Sequence, residues 1–273
     1  MRVQLLGSSR LSRVVLPYLL ERRGARISAV DLGEEHEARP WFAPMRGMLH
    51  DEGIPAGRLP ADRVIDCDPD ARPAAPEGIG LRVLAPPGAR SADPNRALLD
   101  GGAWEVVVTD GRGAWARRPL EVEPEDDAAT VLDRAVLRMV EALDEAWERL
   151  GDPPDPLPRA LLAGRWRDAE THVLWEQPAP RVVARIRASA GPWGGARALL
   201  GETAVRLLDA RIDAAESPPG FTAGTIVAVD RGIVVATGRG TVRVERLRPG
   251  WRPAREAGAF VTESGLSPGY QFS

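Results

Sequence analysis

The stretch LRVLAPPGARSADP, residues 81–94, has the layout of an active-site edge. An apolar run (Leu81, Val83, Leu84) enters a stiff loop at Pro86-Pro87-Gly88 and leaves through Arg90 and Pro94. Open α/β sheets place ligands outside the carboxyl ends of their strands, so chemistry is expected in such a loop. Its tip nevertheless carries no His, Cys, Asn or Lys. Other polar groups end neighbouring apolar runs: Asp66-Cys67-Asp68 after Val64-Ile65, Asp110 after EVVVT, and Gly7-Ser8-Ser9 after Val3–Leu6. Cys67 would be a nucleophile only with a lowered pKa, and two flanking carboxylates raise it, so a buried structural thiol is expected. Asp110 before Gly111 reads as a turn residue. The Gly7 turn, with Ser9 capping the next helix, could hold an anion at a helix N-terminus, or Gly7 could simply make the turn. His36 and His50 stand among charged residues and are expected on the surface; His172 lies in the second half. No metal site is expected.

Composition narrows the chemistry further. The chain has 273 residues, more plausibly two domains than one, with 44% apolar and 27% charged residues, as in an ordinary globular protein. A single cysteine excludes an internal disulfide and a Cys-based zinc cluster. All 36 basic residues are arginine, which removes Schiff-base and P-loop lysine mechanisms and makes any one arginine less telling. No apolar run is long enough to span a membrane and the N-terminus lacks a signal-peptide layout, so a cytoplasmic protein without a membrane partner is expected. Residues 1–158 carry 20 Arg against 28 acids, whereas residues 159–273 carry 16 Arg against 11 acids. A basic half on an acidic one points to a polyanionic partner.

The elements that must position these groups follow from periodicity. Val3–Leu6, a glycine turn, an amphipathic helix over Leu11–Leu19 and the run Ile27–Val30 form a βαβ opening, which predicts a parallel sheet. Arg63–Cys67, the opening stretch at 81–84 and Glu105–Thr109 add three strands. After Asp126-Asp127, apolar residues at helical spacing from Val131 to Leu150 predict a long helix that Gly151 stops. Asp152–Pro158 is a proline-rich linker. Beyond it, alternating segments at 181–186, 224–229, 233–237 and 241–247 between glycine turns predict a small β-barrel.

The second half resembles the C-terminal domain of methionyl-tRNA formyltransferases. WEQPAPRVVARIRASAGPWGGARALL at 175–200 carries its I-R-A-x-x-x-P-W-x-G-A core on Ile186, Arg187, Ala188, Pro192, Trp193, Gly195 and Ala196, and residues 224–254 and GLSPGYQF at 265–272 follow in order. The first half is similar in layout, including EGIP at 52–55. The resemblance implies an α/β fold: a parallel-sheet, formyltransferase-like domain at 1–150, a linker at 151–158 and a small OB-like barrel domain at 159–273. It also implies 10-formyltetrahydrofolate as formyl donor and a tRNA or aminoacyl-tRNA partner, with a partner enzyme as another possibility. Of the family's Asn, His and Asp, Val83 falls on the asparagine and Ala85 on the histidine, and no clean D-x-G follows; Arg90, Pro94 and Gly102 keep the framework. Valine and alanine can neither stabilise an oxyanion nor move a proton. The expectation is a non-formylating binding or accessory protein, with Arg185, Arg187, Arg239 and Arg243 as nucleic-acid contacts and Arg181, Arg246 and Arg248 as further phosphate candidates. The alternative is a repurposed transferase acting on an amine, built around Asp68, Arg90 and Asp110.

Overall fold

Seven short extended runs in the first part of the chain assemble into one sheet in the computed structural model, which describes residues 1–7, 10–32, 45–67, 78–158, 160–162, 168–191 and 194–273. The strands are β1 (Arg2–Leu6), β2 (Arg26–Asp31), β3 (Arg63–Asp66), β4 (Ile79–Leu84), β5 (Trp104–Thr109), β6 (Gly113–Leu120) and β7 (Asp155–Pro156), in the order β2-β1-β3-β4-β5-β6-β7. The first four are parallel, as the βαβ opening requires. The remaining pairings, β4–β5, β5–β6 and β6–β7, are antiparallel, so the expected parallel sheet is a mixed one. Between β5 and β6 the cause is the connection. Asp110-Gly111-Arg112 is a hairpin turn, and a parallel pair would need a crossover of a dozen residues or more. β7 lies inside the proline-rich linker and pairs with Gly113 and Ala114.

Helix α1 (Arg10–Pro17) buries Leu11, Val15 and Leu16. Pro17 cannot donate in the helical ladder, and the chain widens into a π-turn over Tyr18–Arg22. Arg23 fastens this turn to the long helix. It donates to Asp144 Oδ1 at 2.6 Å and Glu148 Oε1 at 3.1 Å, and its guanidinium lies over the rings of Tyr18 and Trp147. Burial pushes the Tyr18 hydroxyl up to about 12, so it keeps the proton it donates to Asp144. A short helix, α2, spans Met45–Asp51, and the four-residue α3 spans Ala97–Asp100. The long helix α4 (Ala128–Ala146) presents Val131, Ala135, Met139, Ala142 and Leu143, all buried, at helical spacing.

The chain divides into two compact units. One comprises Met1–Pro94, Gly102–Glu121 and Leu132–Arg165; the other comprises Asn95–Gly101, Val122–Val131 and Trp166–Ser273. The second unit holds α5 (Ala179–Ala188), the strands β8 (Ala196–Leu200), β9 (Thr203–Ala214), β10 (Ile226–Val229), β11 (Ile233–Ala236), β12 (Thr241–Pro249) and β13 (Arg255–Glu256), and α6 (Ala257–Ser264). Its sheet runs β10-β11-β12-β9-β8, with β13 on β12. Trp175, Val182, Ile186, Leu207, Val244 and Phe272 are central to its core. The segment after α6 ties both edges of this sheet: Leu199 and Ser273 exchange backbone bonds of 2.7 and 2.9 Å, and Phe272 N–H donates to the Gly224 carbonyl at 2.8 Å. Among the described residues no helix is long and apolar enough to cross a membrane.

Candidate functional site

At the carboxyl edge of β4 the side chains are apolar. Val83 is 3% exposed and Ala85 4%. The loop beyond keeps a defined shape: Ala89 N–H closes a turn onto the Pro86 carbonyl at 3.2 Å, and Gly88 takes φ +84°. Gly102 also needs its missing side chain, because a Cβ there would stand 3.0 Å from the Pro86 ring at a φ of +85°. Arg90, at the loop's far side, is exposed and makes no ion pair among the described residues.

The one charged group on β4 is Arg82, and it is spent internally. Its side chain is 5% exposed, Asp66's is 9%, and the two form an ion pair through Nη2 and Oδ2. Nη1 donates to the carbonyls of Asp66 at 3.3 Å and Leu81 at 3.1 Å, while Nε is buried with no hydrogen-bond partner. Sequence reasoning missed this pair, although a signal was present. A lone arginine in IGLRVL, a strand buried along its whole length, must meet a counter-charge.

Asp110, a candidate on sequence grounds, does not share a site with Ala85. For Asp110 the sheet register shows why. Thr109, next to Asp110, pairs with Gly80 near the start of β4, whereas Leu84 at its end pairs with Glu105. Four residues of extended chain separate these rows by about 13 Å, so Asp110 lies at the opposite edge from Ala85. Its Oδ1 accepts the N–H groups of Arg112 at 2.8 Å and Gly113 at 2.9 Å, which makes it the hairpin's turn aspartate. Gly7 takes φ +107°, and its N–H already donates to the Asp31 carbonyl at 2.8 Å, so that amide is not open to an anion. Ser8, Ser9, His36, Asp68, Pro192 and Trp193 lie outside the described residues.

Cys67 is fully buried, its N–H bonded to the Leu6 carbonyl at 2.9 Å. Its thiol is expected to resist a water-soluble disulfide reagent in native buffer and to react once urea unfolds the protein. Rapid native labelling, read by absorbance, would contradict the structural role. His50 has a side chain 90% exposed, with Nδ1 3.4 Å from Asp51 Oδ1.

In the second unit most of the arginines named as nucleic-acid contacts are engaged by the protein. Arg185 donates to the Glu170 carbonyl at 2.8 Å; burial, then the nearby charge of Arg96, lowers its pKa. Arg187 donates to the Pro124 carbonyl, and Arg181 to that of Leu99. Arg243 is held between Asp213 and Asp230. Arg239 remains exposed, with its carbonyl accepting the Ala179 N–H at 2.9 Å. Strand register brings forward a different set. Arg197 on β8 stands opposite Arg206 on β9, which stands opposite Arg248 on β12.

Comparison with known proteins adds a lineage to this geometry. The family model for the formyl transferase C-terminal domain matches residues 165–264. The methionyl-tRNA formyltransferase of Mycobacterium marinum is 30% identical over 181 residues, covering 64% of this chain and 54% of that protein. That of Anaeromyxobacter sp. (strain K) is 32% identical over 207 residues, 66% of each. The chain spans about half the length of the first of these curated relatives. In fold it is similar to HypX from Aquifex aeolicus in complex with tetrahydrofolic acid, with a TM-score of 0.62, 21% identity, and coverage of 96% of this chain and 47% of that one. It is also similar to WlaRD, a sugar 3N-formyl transferase, with a TM-score of 0.61, 9% identity, and coverage of 93% and 99%.

Proposed function

Because the chain belongs to the formyltransferase family and resembles methionyl-tRNA formyltransferase, we propose that it is a divergent member that no longer transfers formyl groups and instead binds an aminoacyl-tRNA, an amine or a partner enzyme. The observation that carries this reading is the apolar edge of β4. It does not depend on how the strand is matched to the family, since residues 79–94 contain neither histidine nor asparagine. Formyl transfer from a folate nitrogen to an amine passes through a tetrahedral oxyanion, which needs positioned donors and a group to take the amine's proton. Val83 and Ala85 supply neither, and Arg82 is neutralised by Asp66. These residues do not fit 10-formyltetrahydrofolate as a formyl donor.

A tRNA partner draws support from the relatives named methionyl-tRNA formyltransferase and from the basic second half. The same reading takes the second sheet for a small OB-like barrel, closed through the Tyr270–Ser273 segment, and 1–150, 151–158 and 159–273 as the functional division of the chain. The repurposed-transferase alternative is weakened, because Asp110 is a turn residue at the far edge of the sheet.

The test is a single-turnover reaction with excess protein, 10-formyltetrahydrofolate and methionine-charged initiator tRNA, read by mass spectrometry. Loss of one oxyanion donor costs about 10²–10³ in rate, so with the donors and the base all absent, product should stay at the level of an unrelated protein. Charged tRNA should still be retained on the protein. Formyl-methionine well above that background would overturn the non-formylating reading.

A further inference from the structure

We propose that the groove along the outer edge of β6 binds a free α-amino acid with an apolar side chain as its zwitterion, the ammonium on Glu145 and the carboxylate on Arg149. This site goes beyond the reading above and does not rest on it.

The groove exists because β7 stops early. β7 pairs with β6 at Gly113 and Ala114. Toward Trp115 the next partners would be Pro154 and Pro153, which have no N–H to donate to a ladder. From Trp115 onward that edge of β6 has no strand beside it among the described residues. The space left is a cavity of about 290 Å³. That is just under the range of about 300–1,000 Å³ for drug-sized ligands, so its guest is a small molecule. Three buried residues, Ala114, Trp115 and Ala116, join Pro156 to give it an apolar lining.

Five charged side chains also line it: Glu105 from β5, Arg117 from β6, Glu145 from α4, Arg149 from the turn Trp147–Arg149, and Asp155 from β7. Arg118 is a sixth, paired with Glu145. Three carboxylates therefore meet three guanidiniums. A cation or an anion finds as much repulsion here as attraction, and an apolar guest would strand charges away from water. A guest with one charge of each sign matches the site.

The end of α4 sets the two groups that would hold it. Glu145 and Arg149 stand four residues apart, the spacing and order at which a glutamate and a basic residue ordinarily pair, with Cβ atoms about 5–6 Å apart. They do not pair with each other. Arg118 holds Glu145, while Arg149 Nη1 donates to the Trp115 carbonyl at 2.8 Å and Nη2 to Asp155 Oδ2 at 3.3 Å. Arg149 thus uses two of the five N–H donors of a guanidinium. The contacts across the groove are loose: 3.3 Å for Arg149–Asp155 and 3.9 Å for Arg117–Glu105. A full charge-assisted bond is about 2.7–2.9 Å, so these groups keep capacity for a guest. An α-amino acid carries its ammonium nitrogen about 2.5 Å from its carboxylate carbon, and with a bond at each end it bridges side chains set one helical turn apart. An aminoacyl ester has no carboxylate, so charged tRNA is not the ligand of this groove.

The probe is L-leucine, titrated into the full chain and followed by ligand-observed NMR. A dissociation constant on the order of 1 mM is expected, because an open groove makes few contacts against the cost of ordering its guest. Leucinamide lacks the carboxylate and N-acetyl-leucine lacks the ammonium. Each should bind about tenfold more weakly or worse, the loss of one hydrogen bond to a charged group. Arg149→Gln should weaken leucine by a similar factor and leave leucinamide unchanged; Glu145→Gln should weaken leucine and leave N-acetyl-leucine unchanged. Glu145→Gln keeps the shape of an exposed side chain, so it carries the test if Arg149→Gln, which also loses the Trp115 carbonyl, fails to fold. Absence of leucine binding overturns the proposal. Equal binding of either blocked analogue also overturns it, leaving a plain cation or anion site, as does wild-type leucine affinity in both folded variants. Retention of charged tRNA should be the same in wild type and variants, so this site and the tRNA reading stand or fall separately.

Discussion

Replacing Asp66 with alanine is expected to destabilise the first unit by about 3–5 kcal/mol, because it leaves the Arg82 charge buried without a counter-ion. Domains of this kind are stable by about 5–15 kcal/mol, so this single change removes a large share of the margin. The cost comes from desolvation. Arg82 and Asp66 have side chains 5% and 9% exposed, and among the described residues the remaining guanidinium would keep the carbonyls of Asp66 and Leu81. Removing both charges should behave differently. A double variant, Asp66→Leu with Arg82→Met, fills similar volume with apolar groups, and such replacements are neutral or stabilising by about 1–4 kcal/mol. Urea denaturation of the two single variants and the double variant decides the matter. A cost below about 1 kcal/mol for Asp66→Ala, well under the figure for a buried pair, would mean that water or another carboxylate reaches Arg82. A large cost that the double variant rescues would show a pair kept for reasons other than stability.

The first unit was legible in the sequence wherever the signal was local. β1, α1, β2, β3, β4, β5 and α4 all follow from apolar period and glycine punctuation within a few residues of where they occur. Strand direction was not legible, because EVVVT, with its valines all buried, reads the same in a parallel or an antiparallel pair. β6 is a weak strand signal, because GAWARRPL carries two adjacent arginines and a proline, although Asp-Gly before it is a strong hairpin signal. The arginines show the same limit. Arg243 reads as a free cation until Asp213, thirty residues upstream, is folded onto it. The Arg197–Arg206–Arg248 row spans 51 positions and exists only once two strand registers are fixed. The motifs at 175–272 mark the main segment of the second unit, but an arginine's position in a motif says nothing about whether the fold consumes its side chain. The apolar character of Val83 and Ala85 needed no structure, since the absence of a donor is visible in the letters.

The second large effect is expected at Gly238, which no motif singled out. Its N–H donates to the Trp175 carbonyl at 2.9 Å and to that of Gln177 at 3.1 Å, so its backbone lies directly on the segment that leads into α5. An alanine Cβ there would fall 1.9 Å from the Glu176 carbonyl oxygen and 2.7 Å from its carbon. These are backbone atoms, fixed in turn by the bond from Ala179 N–H to the Arg239 carbonyl at 2.9 Å, and they cannot swing aside as a side-chain tip would. Gly238→Ala should therefore cost at least the upper end of the roughly 1–3 kcal/mol typical of overpacking, and the damage should spread to the Trp175–Phe272 contact in the core. Gly250→Ala is the matched control. It has φ +53° and nothing within 4 Å of the added carbon, so only the left-handed conformation is penalised, by about 1–2 kcal/mol. Thermal melts of both variants, followed by circular dichroism, separate the two causes. If Gly250→Ala proves the more damaging, conformational freedom and not close approach limits this unit. If Gly238→Ala does, close approach is the limit, and the turn over residues 237–240 is a clamp on the start of α5.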